Sequence, residues 1–292
     1  MPDAPLILVA GSLHYDIMVE ADHLPRRDET AVGSRWYPKF GGKGGNQAVS
    51  VCRQGAGARM VGAVGDDDFG RYLRHGLQQA GVDDRFVATL TGTGSGMSVA
   101  IQDASGDYAA TIVSGTNLLI DAATLRDDAL WQGVALLVLQ SEVPDAVNLA
   151  AASEARHRGI RTVLNAAPSR PLPPALPPLI DILVVNAIEA EMMGAGHVCC
   201  LQSAAEAASQ LATRFEAVVV TAGSQGLAAH GADDVVLILP AEKVTVVSSH
   251  GAGDAFIGAL AVALANGADL SAACKVAAHA AALHVAGHWQ AD

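Results

Sequence analysis

Short, mainly apolar runs recur along the chain at Leu6 to Ala10, Ala58 to Val64, Gly133 to Leu139, Asp181 to Val185 and Ala217 to Thr221. Runs of this length without alternation suit strands buried on both faces of a parallel sheet. Arg161 to Asn165 reads as a further strand. Between them the spacing turns helical, at Gln47 to Gln54, Phe69 to Ala80 and Pro144 to Arg158, and Ser203 to Glu206 forms a capping-box pattern for a helix running to Arg214. Strand and helix in turn predict an α/β fold. Two early stretches, Tyr15 to Val19 and Ala31 to Phe40, have strand character with no helix between them. A hairpin of Gly96 to Gln102 and Tyr108 to Val113, turning at Ser105-Gly106-Asp107, can complete them into a small sheet. That sheet, from about 14–40 and 96–114, would lie over the main fold as a lid. No internal repeat or domain-scale linker interrupts the 292 residues, so a single domain over 1–292 is expected.

The last unit of this kind is the most informative. Lys243 to Val247 is β-branched and reads as a strand, Phe256, Ile257, Leu260 and Leu264 recur at helical spacing until Gly267, and Gly251-Ala252-Gly253-Asp254 lies between. Such a glycine turn exposes the first N–H groups of a helix and holds an anion. An acid in the first helical turn would repel a static pyrophosphate, so Asp254 suits a group that takes a proton beside a moving phosphoryl. The glycine spacing, G-x-G-x(4)-G, also departs from the dinucleotide fingerprint. From these residues alone, Asp254 is either that base or an ordinary helix cap.

Other stretches carry chemistry with alternatives attached. Gly41-Gly42-Lys43-Gly44-Gly45-Asn46-Gln47-Ala48 is no Walker A loop, because the spacing differs and no Ser or Thr follows the lysine. It is either a close backbone approach to a polar ligand, with Lys43 and Asn46 as donors, or a solvated glycine turn. Asp66-Asp67-Asp68 reads as a structural helix start rather than a metal site. Glu142 follows a strand end, the edge at which open α/β sheets bind ligands. The proline-rich stretch from Pro168 to Pro178 reads as a rigid loop rather than a partner's polyproline ligand. Asn186 and Glu189 form either a cap or a hold on a metal's water shell. Thr221-Ala222-Gly223-Ser224-Gln225-Gly226 is a second glycine turn at a strand end. His284 and His288 are four apart but lack a neighbouring glutamate or third ligand, so they read as structural or solvated rather than as a zinc site.

Composition narrows the partners. The chain is 51% hydrophobic and 16% charged, a globular balance, and its net charge of -12 with no basic cluster disfavours nucleic acid and anionic membrane. Four cysteines at 52, 199, 200 and 274 without a C-x-x-C pattern suit a reducing compartment. With no basic leader and no apolar run of about 18 residues, a soluble cytoplasmic protein is expected.

GSLHYD at 11–16, FGGKGGNQA at 40–48, VGDDDFG at 64–70, NAIE at 186–189, TAGSQG at 221–226 and GAGD at 251–254 stand in an order and spacing that resemble the ribokinase-like carbohydrate kinases, the phosphofructokinase-B family. The match covers nearly the whole chain. The resemblance implies a three-layer fold, with a mainly parallel sheet flanked by helices and a β-sheet lid that often serves as a dimer contact, hence a homodimer. It implies an ATP- and magnesium-dependent kinase for a small sugar, with D-ribose leading. By position Asp254 would be the base, and Gly251, Ala252 and Gly253 the anion hole. His14, Asp16, Gly42, Lys43, Asn46 and Glu142 would hold the sugar. Asn186, Thr221, Gly223, Ser224, Gly226 and His279 would serve the nucleotide, and Glu189 the magnesium. Two positions depart from the family: His14 stands where asparagine is usual, and Ser248 where an acid is expected. With Ser248 and without the family's usual tail, a monovalent-cation site is expected to be weak or absent.

Overall fold

The computed structural model describes residues 4–103, 108–232 and 234–288. Its strands are β1 (Leu6–Ala10), β2 (His14–Ala21), β3 (Gly33–Gly41), β4 (Gly57–Gly65), β5 (Asp83–Leu90), β6 (Met97–Gln102), β7 (Tyr108–Val113), β8 (Val134–Gln140), β9 (Arg161–Asn165), β10 (Ile182–Asn186), β11 (Ala217–Thr221), β12 (Gly226–His230) and β13 (Val236–Pro240). The helices are α1 (Lys43–Arg53), α2 (Asp68–Gln79), α3 (Asp128–Trp131), α4 (Asp145–His157), α5 (Ala187–Met192), α6 (Leu201–Leu211), α7 (Ala252–Ala265) and α8 (Leu270–Val285).

A nine-stranded sheet runs in the order β13-β12-β11-β10-β9-β8-β1-β4-β5. It is parallel from β11 to β5, with β12 and β13 added antiparallel at one edge. The apolar runs are continuous because this sheet is covered twice. Ile7 and Val9 of β1 enter one core with Ala48 of α1, Leu73 of α2, Leu260 of α7 and Ala277 of α8. Leu8 and Ala10 enter the opposite core with Ala151 of α4 and Leu211 of α6. Helix, sheet and helix make the three layers. No helix among the described residues is long and apolar enough to cross a membrane.

Four strands form a second sheet, β3-β2-β6-β7, in which β2 pairs antiparallel with β3 and parallel with β6. It rests on α2 through Tyr15, whose ring stacks on Phe69 at 4.0 Å and meets Tyr72 edge-on. The expected hairpin pairs as β6 and β7, while its turn at Ser105-Gly106-Asp107 lies outside the described residues. Trp36 on β3 and Ile112 and Val113 on β7 are more than half exposed.

Two expectations need correction. Lys243 to Val247 is not a strand. β-branched alternation gives the propensity, but a strand needs a ladder partner. Here the sheet edge is already taken by β13, and the segment is tethered instead to α8 by Val247 N donating to Val285 O at 2.8 Å. The capping box of α6 is built on Cys200 and Ser203 rather than Ser203 and Glu206, because Cys200 adopts the extended cap conformation and Ser203 falls at the third helical position. By contrast Asp67 caps α2 as expected, accepting from Gly70 N at 2.7 Å.

Helices α1 and α7 cross closely on one face of the large sheet. A Cβ added at Gly258 would lie 2.2 Å from Ser50 Oγ, and that hydroxyl donates to Ala255 O at 3.3 Å. The last glycine of the G-x-G-x(4)-G pattern is therefore a packing residue. Gly258→Ala should lower the unfolding free energy by about 1–3 kcal/mol despite alanine's better helix propensity. A urea melt with an unchanged or raised midpoint would show that the crossing has slack.

Candidate active site

The site is assembled where the N-termini of α1 and α7 meet the C-terminal ends of the parallel strands. Gly251 caps α7 in the left-handed conformation, φ 85°, which glycine adopts without strain, and no side chain caps this helix. Asp254 therefore does not serve as the cap. Its Oδ1 accepts from Gln47 Nε2 of α1 at 2.9 Å. Burial pushes the Asp254 carboxyl up to about 6, against the opposing pull of Lys43 and of hydrogen bonds from Gln47 and Asn46. A carboxylate tuned in this way is suited to take a proton near neutral pH. The N–H of Ala252, expected to face an anion, donates to Ser249 O at 3.2 Å, while Gly253 is exposed at the helix mouth.

Asp254, Gly251 and Gly253 share a cavity of about 150 Å³ with Lys43, Asn165, Asn186, Glu189 and Thr221. Lys43, Asn186 with Glu189, Thr221 and the Gly251–Asp254 turn, four segments far apart in sequence, are thus brought together. Asn186 and Glu189 form a complete capping box for α5: Glu189 N donates to Asn186 Oδ1 and Asn186 N to Glu189 Oε2, both at 2.8 Å. The cap and the ligand alternatives are compatible, since a carboxylate has a second oxygen. Burial raises the Glu189 carboxyl from its ordinary range, opposed by the Asn186 N–H and Lys43. A buried hard oxygen donor of this kind gains from a divalent cation and suits magnesium, which is commonly held by one or two carboxylates together with phosphate oxygens. Among the described residues no cluster of three or more His, Cys, Asp or Glu forms a cage.

The glycine-lysine loop is packed rather than solvated. A Cβ on Gly44 would lie 2.6 Å from the carbonyl carbon of Gly11, and one on Gly42, itself at φ 87°, 2.7 Å from the backbone of His14. The close approach is thus to the chain's own 11–14 segment, and it carries Lys43 to the cavity and Asn46 to the Asp254 carboxyl. Glu142 binds this junction together: its Oε2 accepts from Lys43 N at 2.9 Å and from Ser12 Oγ. His14 lies alongside, with Nδ1 3.9 Å from the same oxygen. Asp16 accepts from Ser98 Oγ of β6, and burial raises its carboxyl against the opposing Ser98 hydrogen bond and His14.

The remaining expected nucleotide residues lie outside the cavity lining. Gly223 and Ser224 form an exposed turn after β11. Gly226 is at φ 122°, and a Cβ there would lie 2.1 Å from Leu239 O, so the passage of β13 requires glycine. His279 faces Glu242, its Nδ1 3.0 Å from the carboxylate, and lines a separate hollow with Gln54, Lys275 and Leu283.

Sequence reasoning missed several contributors. In the sequence Gln47 carries no role within its motif, and Asn165 reads only as a strand end. Ser12 and Ser98 carry no pattern of their own. His284 does more than pack: its Nε2 lies 2.8 Å from His250 O and so ties the glycine turn to α8.

The pattern described as "pfkB family carbohydrate kinase" matches residues 4–288. The ribokinase of Bacillus subtilis is 34% identical over 280 residues, covering 96% of this chain and 92% of that protein. The ribokinase of Mus musculus is 33% identical over 273 residues, covering 92% and 84%. Among solved structures, the Arabidopsis thaliana ribokinase complexed with ribose and ATP superposes with a TM-score of 0.89 at 27% identity, covering 97% of this chain and 93% of that one.

A carboxyl whose pKa is raised on folding binds its proton more tightly in the folded state. Its stabilising effect is full below the unfolded value near 4 and is lost as pH rises through about 6. Asp254→Asn should therefore be more stable than the parent at pH 8, by about 2–3 kcal/mol, and nearly equal to it at pH 4. Urea melts at the two pH values measure this, and a variant weaker than the parent at pH 8 would contradict the desolvation cost.

Proposed function

The chain belongs to the pfkB family of carbohydrate kinases and is a kinase acting on a sugar, and from that premise we propose that it transfers the γ-phosphoryl of ATP to a hydroxymethyl group of a small sugar, D-ribose being the leading choice. The observation that carries this is Asp254, a desolvated carboxylate at the mouth of α7 in one cavity with Lys43, Asn186 and Glu189.

In this reading Asp254 accepts the proton of the attacking hydroxyl. Lys43 and Asn46 donate to sugar hydroxyls, Asp16 and Glu142 accept from them, and Gly42 lets the loop reach that position. The N–H groups at the mouth of α7 receive the moving phosphoryl, which competes with Ser249 O for the N–H of Ala252. Gly223, Ser224, Gly226 and His279 accompany Thr221 on the nucleotide side. Glu189 would hold magnesium, with Asn186 orienting the carboxylate; the ion supplies charge neutralisation for the phosphates. Cytoplasmic residence and a homodimer through the small sheet complete the proposal, and Trp36, Ile112 and Val113 support the latter as exposed apolar side chains on its edge strands.

One observation bears on the alternative, another sugar or a nucleoside within the same chemistry. His14 is buried, and its Nε2 is an enclosed nitrogen without a hydrogen-bond partner among the described residues. A ring there shapes the sugar pocket differently from the asparagine usual in the family.

A coupled assay for ADP release across pentoses, hexoses, keto-deoxy acids and nucleosides tests the reading. Ribose-dependent turnover is expected, and a response to nucleosides alone would overturn the substrate assignment. Asp254→Asn should lower turnover by roughly 100-fold to 10,000-fold. Lys43→Ala and Asn46→Ala should chiefly raise the sugar KM, and an unchanged KM in both would remove the loop from the sugar site. Replacing tetramethylammonium by potassium at constant ionic strength should change turnover by less than about twofold, because a neutral Ser248 hydroxyl replaces ion hydration less well than a carboxylate. Activation of tenfold or more would reveal a working cation site.

A further inference from the structure

Gln47 has no role in the reading above, yet its side chain is wholly buried and touches the proposed base. Its Nε2 donates to Asp254 Oδ1 at 2.9 Å and to Asn165 Oδ1, at the end of β9, at 3.1 Å. Its Oε1 accepts from Gln140 Nε2, at the end of β8, at 2.8 Å. The outer members are anchored in turn: Asn165 Nδ2 donates to Val184 O at 3.3 Å, and Asn148 Nδ2 of α4 donates to Gln140 O at 2.7 Å.

An amide carries donors at one end and acceptors at the other. Turned over, Gln47 would set its carbonyl oxygen against the Asp254 carboxylate and Asn165 Oδ1, and its NH₂ against the NH₂ of Gln140. Three attractive contacts would become repulsive, and the ionised Asp254 carboxylate, which can only accept, selects the observed orientation. The Gln140 side chain is enclosed, its Oε1 beside Gly11 and without a hydrogen-bond partner among the described residues.

We infer that Gln47 is a positioning residue that holds the Asp254 carboxylate in one orientation, with Gln140 and Asn165 fixing the Gln47 amide. The inference rests on the role proposed for Asp254. Oδ1 is engaged by Gln47 at 2.9 Å and Asn46 also donates towards the carboxylate, so the two amides together set which oxygen faces the substrate. The donor also favours the ionised form, because a hydrogen bond to a carboxylate lowers its pKa. It works beside Lys43, which acts in the same direction, and Glu142, which opposes it; Glu189 lines the same cavity. Without Gln47 the carboxyl should be protonated over more of the neutral range and held by Asn46 alone.

Gln47→Met keeps the length of the side chain and removes the donor. In the ligand-free protein, with aspartate labelled by ¹³C, the Asp254 carboxyl should titrate about one pH unit higher than in the parent. The acid limb of kcat against pH should move by the same amount, so that turnover falls by about fivefold at pH 6 and about twofold at pH 7 and most of the loss returns by pH 9. The sugar KM should change by less than about threefold. A merely structural residue would depress turnover equally at every pH and leave the titration in place, and that result would overturn the inference. A shifted titration with an unchanged pH–rate profile would uphold the contact while removing Asp254 from the base role. Gln140→Met provides a second test if the first variant folds poorly: it leaves the bond to Asp254 but frees the Gln47 amide. It should shift the titration in the same direction by a smaller amount, and an unmoved midpoint would remove Gln140 from the network.

Discussion

The crossing of α1 over α7 at Ser50 and Gly258 governs where the reacting groups stand. Because residue 258 has no side chain, the helices approach until Ser50 Oγ occupies the space of its absent Cβ. On the site-facing side of this contact, α1 presents Lys43, Asn46 and Gln47 while α7 presents Asp254. A hydrogen bond such as that of Gln47 to Asp254 weakens steeply as its heavy atoms separate beyond about 3.2 Å. An additional methyl at the crossing would open that gap, so helix packing and chemistry share one tolerance.

That tolerance matters because Asp254 is held in opposed conditions. Burial favours the neutral acid, whereas the base role proposed for Asp254 needs the ionised form. The structure resolves the conflict by surrounding the carboxylate with Lys43 and amide donors, which leave its pKa at about 6. At that value it is mostly ionised near pH 7 and still able to accept a proton as charge develops on the substrate oxygen. The stability lost to desolvation is the cost of this setting, in keeping with active sites that work against the fold.

Much of this was legible in the sequence, for reasons that differ by element. Apolar runs such as Leu6 to Ala10 revealed the parallel sheet because burial on both faces removes alternation. The small sheet was legible because β2 and β3, and likewise β6 and β7, follow one another without a helix between them. Lys243 to Val247 misled because propensity is local, whereas the availability of a sheet edge is not. The glycines marked special positions without revealing why: Gly251 serves a left-handed turn, Gly44 a close approach to Gly11, Gly226 the passage of β13, and Gly258 a helix crossing. Gln47, Asn165 and Gln140 stayed silent because isolated amides have no signature spacing, and their meaning arises only when two strand ends and a helix bring them together.

Charge explains why those amides matter. The chain carries a net charge of -12, and Asp254, Glu142 and Glu189 stand near the region where an anionic phosphoryl group would enter. Lys43 is the one lysine or arginine lining the described cavity, so positive potential must also come from oriented dipoles. The N-terminus of α7 supplies one such dipole and the Gln47 amide another, both without adding a net charge that would trap the product. An approaching phosphoryl repels the ionised form of Asp254 and pushes its pKa further up. A lysine at position 47 would counter that push but would compete with the substrate hydroxyl as a proton donor to the base. A neutral donor fixed by two other amides counters it without offering a transferable proton, which gives a physical reason for an amide at this place.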